Sequence, residues 1–311
     1  MRKLIFLPVI FFFVTSVFAE ILNVPADYST IQSGLNAADS SDTVMVAPGT
    51  YMENLIWPET NGIKLIGEDS SNTIIDGGGN SSVIYMNPQS ATIDTTTLIQ
   101  GFTITNGGNV QNGGGLFISG SSLSINNLLI TDNYATDGGG GLYLSSAARL
   151  TNVIITKNEC NRGGGIYLSS AASLTEVVIS ANRAGEGGGI YLTSAPNLTN
   201  VIVSGNNATS GGGMYFYGFN SIPTLTNVVV TENYASYKGG GVCLISTPQD
   251  TLTNLVVIGN NAPTGGGIYL RSSSRNLSKM LVINNSGGGI YADSHSNPTI
   301  SNSNLLNNNV S

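Results

Sequence analysis

GGGIYLSSAASLTEVVISANRA, residues 163 to 184, decides the fold, because versions of it recur from about residue 113 nearly to the end of the 311-residue chain. The last glycine of each run marks the repeat: Gly115, Gly141, Gly165, Gly189, Gly213, Gly241, Gly267 and Gly289, in steps of 26, 24, 24, 24, 28, 26 and 22 residues. Self-similarity at such a period is the mark of a solenoid, in which each repeat buries its apolar side against its neighbours.

Within the unit, Ile166 and Leu168 flank Tyr167 as Ile190 and Leu192 flank Tyr191. This alternation is that of a strand with its flanking pair inward and its tyrosine outward. Leu150, Val153 and Ile155 recur as Leu174, Val177 and Ile179 and as Leu198, Val201 and Val203, and they point into the same core. Three residues beyond stands an asparagine, at Asn133, Asn158, Asn182, Asn206, Asn233 and Asn260. In stacked coils these form a polar ladder, each bonding backbone and asparagine of the next coil. The glycine triplet lets the backbone turn at positive φ and approach its neighbour closely.

Leu150, Val153, Ile155, Asn158 and Cys160 also satisfy the leucine-rich-repeat pattern. That horseshoe spends the rest of its unit on a helix or a 3₁₀ turn, whereas GGGIYLSS offers glycine, a β-branched residue and an aromatic, which favour a strand. A coil of strands and tight turns closes as an all-β parallel β-helix, whose hand is taken as right.

The first residues, MRKLIFLPVIFFFVTSVFAE, carry a basic start at Arg2 and Lys3, an apolar run and small residues at Val17 and Ala19, so residues 1–19 read as a secretory signal peptide. The run is shorter than the ~20 residues needed to span a bilayer. The expected location is therefore secreted or cell-surface, outer membrane or extracellular, with no membrane span after cleavage. Without Arg2 and Lys3, nine basic residues face 18 acidic ones, a net charge of −9, which excludes nucleic acid as a partner. The chain is 41% hydrophobic and 9% charged, so it has a core and is not disordered. Cys160 and Cys243 sit about three coils apart, too far to bridge at ~4.8 Å per coil, and read as free thiols.

Residues 20–61 do not repeat. ADYSTIQSGLNAADSSD has the spacing of a short amphipathic helix with Ile31, Leu35 and Ala38 on one face, and TVMVAPGTYMENLIW reads as two strands about a Pro-Gly turn, together an N-terminal cap over the first coil. The repeats occupy residues 62–311, about ten coils and a rod of roughly 45 to 50 Å. The last coil, PTISNSNLLNNNVS, carries no visible cap or anchor, and an unpaired β edge invites a partner there.

IQSGLNAADSSDTVMVAPGTYMENL, with KLIGED and TIIDGGG, resembles the amino-terminal cap of right-handed parallel β-helix proteins of the pectin-lyase-like superfamily. The repeat Ile179-x-x-Asn182-x-Ala184-x-x-Gly187-Gly188-Gly189-Ile190 is similar to those of polymorphic outer membrane proteins, autotransported adhesins whose carboxy-terminal β-barrel this chain lacks. The resemblance implies a fold across almost the whole mature chain. It implies no single function, because the superfamily hosts lyases, hydrolases, esterases, adhesins and structural rods.

Gln249-Asp250-Thr251-Leu252 looks like part of a pectinesterase signature, yet no second aspartate stands one coil away and no matching arginine follows. Lyase chemistry needs carboxylates that hold calcium and a cation beside a uronate. The densest charged group is Glu159, Arg162, Arg183 and Glu186; in repeat register Glu159 lies over Arg183 and Arg162 over Glu186, which reads as surface ion pairing, as does Asp132 beside Lys157. His295, the single histidine, reads as an exposed turn residue, and Asp76 and Asp94 as turn formers. The outward file Phe117, Tyr143, Tyr167, Tyr191, Tyr215, Tyr269 and Tyr291, interrupted by Cys243, stacks to stabilise its sheet or presents rings to a glycan. A second file, Leu129, Ile154, Val178, Ile202, Val229, Val256 and Leu281, is aliphatic.

Two functions therefore stand open. One is a non-catalytic, adhesin-like rod that binds extracellular polysaccharide or a cell-envelope component through Tyr143, Tyr167, Tyr191, Tyr215, Tyr269 and Tyr291, without cofactor. The other is a polysaccharide lyase or esterase with a groove on the tyrosine face, using Glu159, Arg162, Arg183 and Glu186, with calcium if a lyase. A purely structural spacer is a third.

Overall fold

A computed structural model describes residues 18–90, 92–218, 223–247 and 251–309. Residues 1–17, most of the segment read as a signal peptide, and the Gln249-Asp250 pair lie outside the described residues. Identical letters two dozen places apart do become vertical neighbours: Leu150 pairs with Leu174, Leu174 with Leu198 and Leu198 with Leu225, all in parallel register. One sheet runs along twelve successive strands from Ile21–Val24 to Asn304–Leu306, and a ten-stranded sheet runs from Leu55–Ile56 to Ile290–Ala292. Short strands such as Arg183–Glu186, Asn207–Ser210 and Tyr234–Lys238 make a narrow third face. The first sheet thus begins at Ile21, inside the segment read as the cap.

Ile166, Leu168, Leu174, Val177 and Ile179 are fully buried, so each coil fills the centre as its alternation predicts. The only helix among the described residues is Ile31–Ala37, with Ile31 and Leu35 buried and Thr30 and Ser33 forming a capping box. The Glu53 carboxylate accepts hydrogen bonds from the Ile31 and Gln32 backbone N–H groups at 2.8 and 2.9 Å, satisfying two donors that a helix N-terminus leaves open. With strands where a leucine-rich repeat places its helix, the horseshoe is excluded.

Three left-handed corners bend each coil. The first glycine of the triplet takes φ 70° at Gly163, and the residue before the ladder asparagine takes φ 55° at Lys157. A third corner falls inside the eight-residue strands, at Asn127, Asn152, Glu176, Asn200 and Asn227, with φ between 51° and 56°. This break explains why Leu150 and Val153 both face inward at a spacing of three. Asparagine suits the site because it visits this region more readily than most residues.

The asparagine ladder is continuous. Asn158 donates its backbone N–H and its Nδ2 to Asn182 Oδ1 at 2.9 and 3.1 Å, and Asn182 repeats both bonds to Asn206 Oδ1. The same pattern runs on through Asn233 and Asn260 to Asn285 and Asn308. Ser146, Ser170 and Ser194 add a second ladder, each hydroxyl donating to the serine carbonyl one coil back. In the aliphatic file Ile154 and Ile202 are 45% and 42% exposed and the other members half-buried.

Candidate functional site

The ten-stranded sheet places its outward residues in one column. Tyr85, Phe117, Tyr143, Tyr167, Tyr191 and Tyr215 stack with centroids 4.9 to 5.2 Å apart and planes within 12° of parallel. Cys243 takes the next rung, and Tyr269 and Tyr291 stack beyond it at 5.4 Å. Tyr85 joins the column although no glycine triplet directly precedes its strand, which is why the period misses it.

The rings stack as the sequence reading expects, but the alternative reading, in which the file presents its rings to a glycan, is corrected in two respects. Stacked rings cover one another's faces, so a ring face is open only where the column ends or breaks. The middle is also roofed: Tyr191 and Tyr215 are 3% and 5% exposed, whereas Tyr85 and Tyr291 are 38% and 46% exposed. The roof comes from the narrow face, where Gly138, Arg162, Glu186, Ser210, Lys238 and Thr264 stand in register beside the rings. The Arg162 guanidinium carbon sits 5.6 and 5.8 Å from the centroids of Tyr167 and Tyr191, within cation–π range. Burial pushes the Tyr191 phenol up to about 12, with Glu186 adding to it, and pushes Tyr215 up further.

The charged cluster also pairs differently from its register. Arg162 does lie beside Glu186 along the backbone, but its side chain turns to Asp137, with Nε donating to Oδ1 at 2.9 Å and Nη2 to Oδ2 at 2.6 Å. That bidentate bond holds the guanidinium in its charged form, above its ordinary range, and leaves it no capacity to accept a proton. Asp137 was absent from the sequence-derived site. It is the extra residue of a corner that runs eight residues from Asn133 to Gly141, against seven from Asn158 to Gly165, and that interval was its one signal. Arg183 and Glu159 face each other at 4.0 Å with side chains 73% and 54% exposed, a loose surface pair. Asp132 accepts from the Thr131 hydroxyl rather than from Lys157.

Asp137 and Glu159 each face a guanidinium rather than another carboxylate, and among the described residues no three His, Cys, Asp or Glu side chains converge, so this cluster does not fit a calcium ion. Asp76 and Asp94 cap turns at Gly78 and Thr96, and the His295 side chain is 78% exposed. Cys160 and Cys243 are free and buried.

Two clefts open where the ring column ends. One, of about 280 Å³, is lined by Ser81, Ser82, Tyr85, Val110, Gln111, Asn112 and Phe117. The other, of about 130 Å³, lies beside the last two rings of the column, between Tyr237, Lys238, Thr264, Tyr269 and Tyr291. A third, of about 380 Å³, lies across the first sheet, where Asp69, Asn127 and Asn152 meet Leu129 and Ile154 of the aliphatic file.

With closed coils, in-register rungs and inward aliphatic files established, the family model described as "Right handed beta helix region" matches residues 56–227 and 216–311. The chain belongs to that family. Among solved structures, it is similar to a pectin methylesterase from carrot at 14% identity and a TM-score of 0.50, over 90% of this chain and 87% of the other. It is also similar to the A-module of a mannuronan C-5 epimerase from Azotobacter vinelandii at 16% identity and a TM-score of 0.47, over 90% of each chain. At these identities the likeness is one of fold: this right-handed β-helix shares the pectin-lyase-like architecture. No curated protein matches the chain.

Proposed function

We propose that this β-helix is a secreted or cell-surface rod of adhesin type that binds polysaccharide without catalysis, holding saccharide at the ends of its aromatic column. The observation that carries this reading is the pair of open clefts at Tyr85 and Tyr291, where a free ring edge or face adjoins hydroxyl and amide groups. Sugars are bound by such a combination, an apolar ring surface beside a few fixed hydrogen-bonding groups. The enzymatic reading is less well supported because Arg162, its best-placed cation, is engaged by Asp137 in a bidentate bond. Exposed Ile300, Leu305 and Leu306 offer a partner a separate apolar contact.

The test is a glycan array with the mature chain, followed by titration of Tyr85→Ala and Tyr291→Ala. Each substitution is expected to weaken binding tenfold or more, while Tyr191→Phe, under the roof, leaves it unchanged. Turnover of polygalacturonate, alginate or methylated pectin, seen as unsaturated product or released methanol and abolished by Arg162→Met, would replace this reading with the enzymatic one.

A further inference from the structure

The smaller cleft holds a charge that no carboxylate contacts. Lys238 is 8% exposed, and its ammonium lies 5.0 and 5.1 Å from the centroids of Tyr269 and Tyr237, two of the rings that line the cleft. Among the described residues no carboxylate lies within 4.0 Å of it. Its neighbours are otherwise occupied. Glu186 stands two rungs away in the same row, and Asp293 accepts from the backbone of Ser272 and His295 and from the Ser296 hydroxyl. Arg271 follows Tyr269 by two residues on one strand, so it lies on the same outward face. An acidic chain of net charge −7 thus concentrates two cations at the one place where its ring column is broken.

A buried ammonium is costly unless an opposite charge or several acceptors reach it, and two ring faces supply only part of that. Room beside Lys238 and the Thr264 side chain at the cleft wall provide for the rest. We infer that this cleft binds the anionic group of an acidic saccharide, a uronate carboxylate or a sulfate ester, with Lys238 as its counter-ion, Thr264 as a hydrogen-bonding group and Tyr291 as the platform for the sugar ring. This rests on the saccharide reading above and narrows it to a charge class.

The experiment is titration calorimetry of the mature chain with four hexasaccharides: an oligogalacturonate, its fully methyl-esterified form, a sulfated oligoglucoside and its unsulfated parent. At least one charged probe is expected to bind tenfold or more tighter than its neutral counterpart at low salt, with the gap shrinking as salt rises. The arm that shows the gap identifies the anion. Lys238→Met brings the two members of that pair within twofold of each other without lowering the thermal midpoint, and Lys238→Arg keeps the gap. Equal binding of charged and neutral probes, or a gap that survives Lys238→Met, overturns the inference and leaves the saccharide reading standing. An effect of Lys238→Met with none of Tyr291→Ala keeps the anion site and removes the sugar platform. Absence of binding by all four probes removes both.

Discussion

Asn182→Ala is expected to open the solenoid locally by about 3–5 kcal/mol. In the native coil the Asn182 side chain makes four hydrogen bonds: Oδ1 accepts from Asn158 N at 2.9 Å and Asn158 Nδ2 at 3.1 Å, and Nδ2 donates to Ile155 O and Asn206 Oδ1 at 3.0 Å. Asn182 is 1% exposed, so water cannot take the vacated places without the coils separating. An orphaned buried N–H at Asn158 costs about 1–3 kcal/mol, and the three remaining bonds contribute roughly 0.5–1.5 kcal/mol each. Strict additivity gives about 2.5–7.5 kcal/mol, whose upper part exceeds the expected range, but neighbouring losses relax together. Asn182→Asp is worse, since an oxygen then faces Ile155 O and Asn206 Oδ1, both acceptors. Because repeat arrays can unfold in parts, the assay is amide hydrogen exchange at Asn158 alongside chemical denaturation. The Asn158 amide should exchange about 100- to 4,000-fold faster, each ~1.4 kcal/mol being tenfold. Asn227→Gly is the control: it removes one exposed bond to Asn200 at 3.0 Å at φ 53°, where glycine is at ease, and should cost about 1 kcal/mol or less. Retained protection of Asn158 in Asn182→Ala would refute the ladder as a stabilising element.

Two glycines separate close approach from backbone freedom. A Cβ on Gly164 would lie 2.5 Å from both Arg183 O and Gly188 O, so Gly164→Ala should cost about 3 kcal/mol or more, read as a fall in denaturant midpoint. Gly205, at φ 61° with nothing within 4 Å, should accept asparagine within about 1 kcal/mol. Raising the pH should destabilise the chain between about 10 and 12. The Tyr191 phenol rises from 10 to about 12 through burial, so its contribution is complete below pH 10 and lost as the pH passes the folded value, a total of about 2–3 kcal/mol at ~1.36 kcal/mol per unit. Tyr191→Phe should flatten that slope in denaturation midpoints measured at pH 9, 10.5 and 12, and an unchanged slope would count against it. Burial also pushes the Cys160 and Cys243 thiols up to about 12, so neither should react with iodoacetamide at pH 8 until the chain is unfolded, when both label.

The fold was legible because a parallel in-register stack projects its vertical contacts onto the sequence as a period. Leu174 lies over Leu150, and Asn182 beside Asn158, for no reason beyond that spacing. The mid-strand corner was legible in principle, since Asn127, Asn152, Asn200 and Asn227 repeat at one place in the unit, but Glu176 occupies it in the central coil and hides the file. The exposure of the tyrosines was not legible. It depends on how far the narrow face rises over the rings, and Gly138, Arg162, Glu186, Ser210, Lys238 and Thr264 share no side-chain pattern. For the same reason the pairing of Arg162 could not be read from its rung, because the guanidinium reaches Asp137 rather than Glu186.

In a perfect repeat each outward side chain meets its own copy, so rings cover rings and a charge would face a like charge. A selective site must therefore arise where the repeat departs from itself. Two corners do so by one extra residue: Tyr134 pairs with Glu159 and Gly138 with Arg162, and Asn207 pairs with Tyr234 and Ser210 with Lys238, each a span of four against three. At the first corner the extra length brings Asp137 to Arg162, and the site is satisfied internally. At the second Ser236 and Tyr237 stand against the single Thr209, while one rung of the column holds Cys243 in place of a ring. There the cation meets two aromatic faces and a cleft instead of a carboxylate. The same irregularity that stabilises one corner leaves the other in need of an anion from outside the chain.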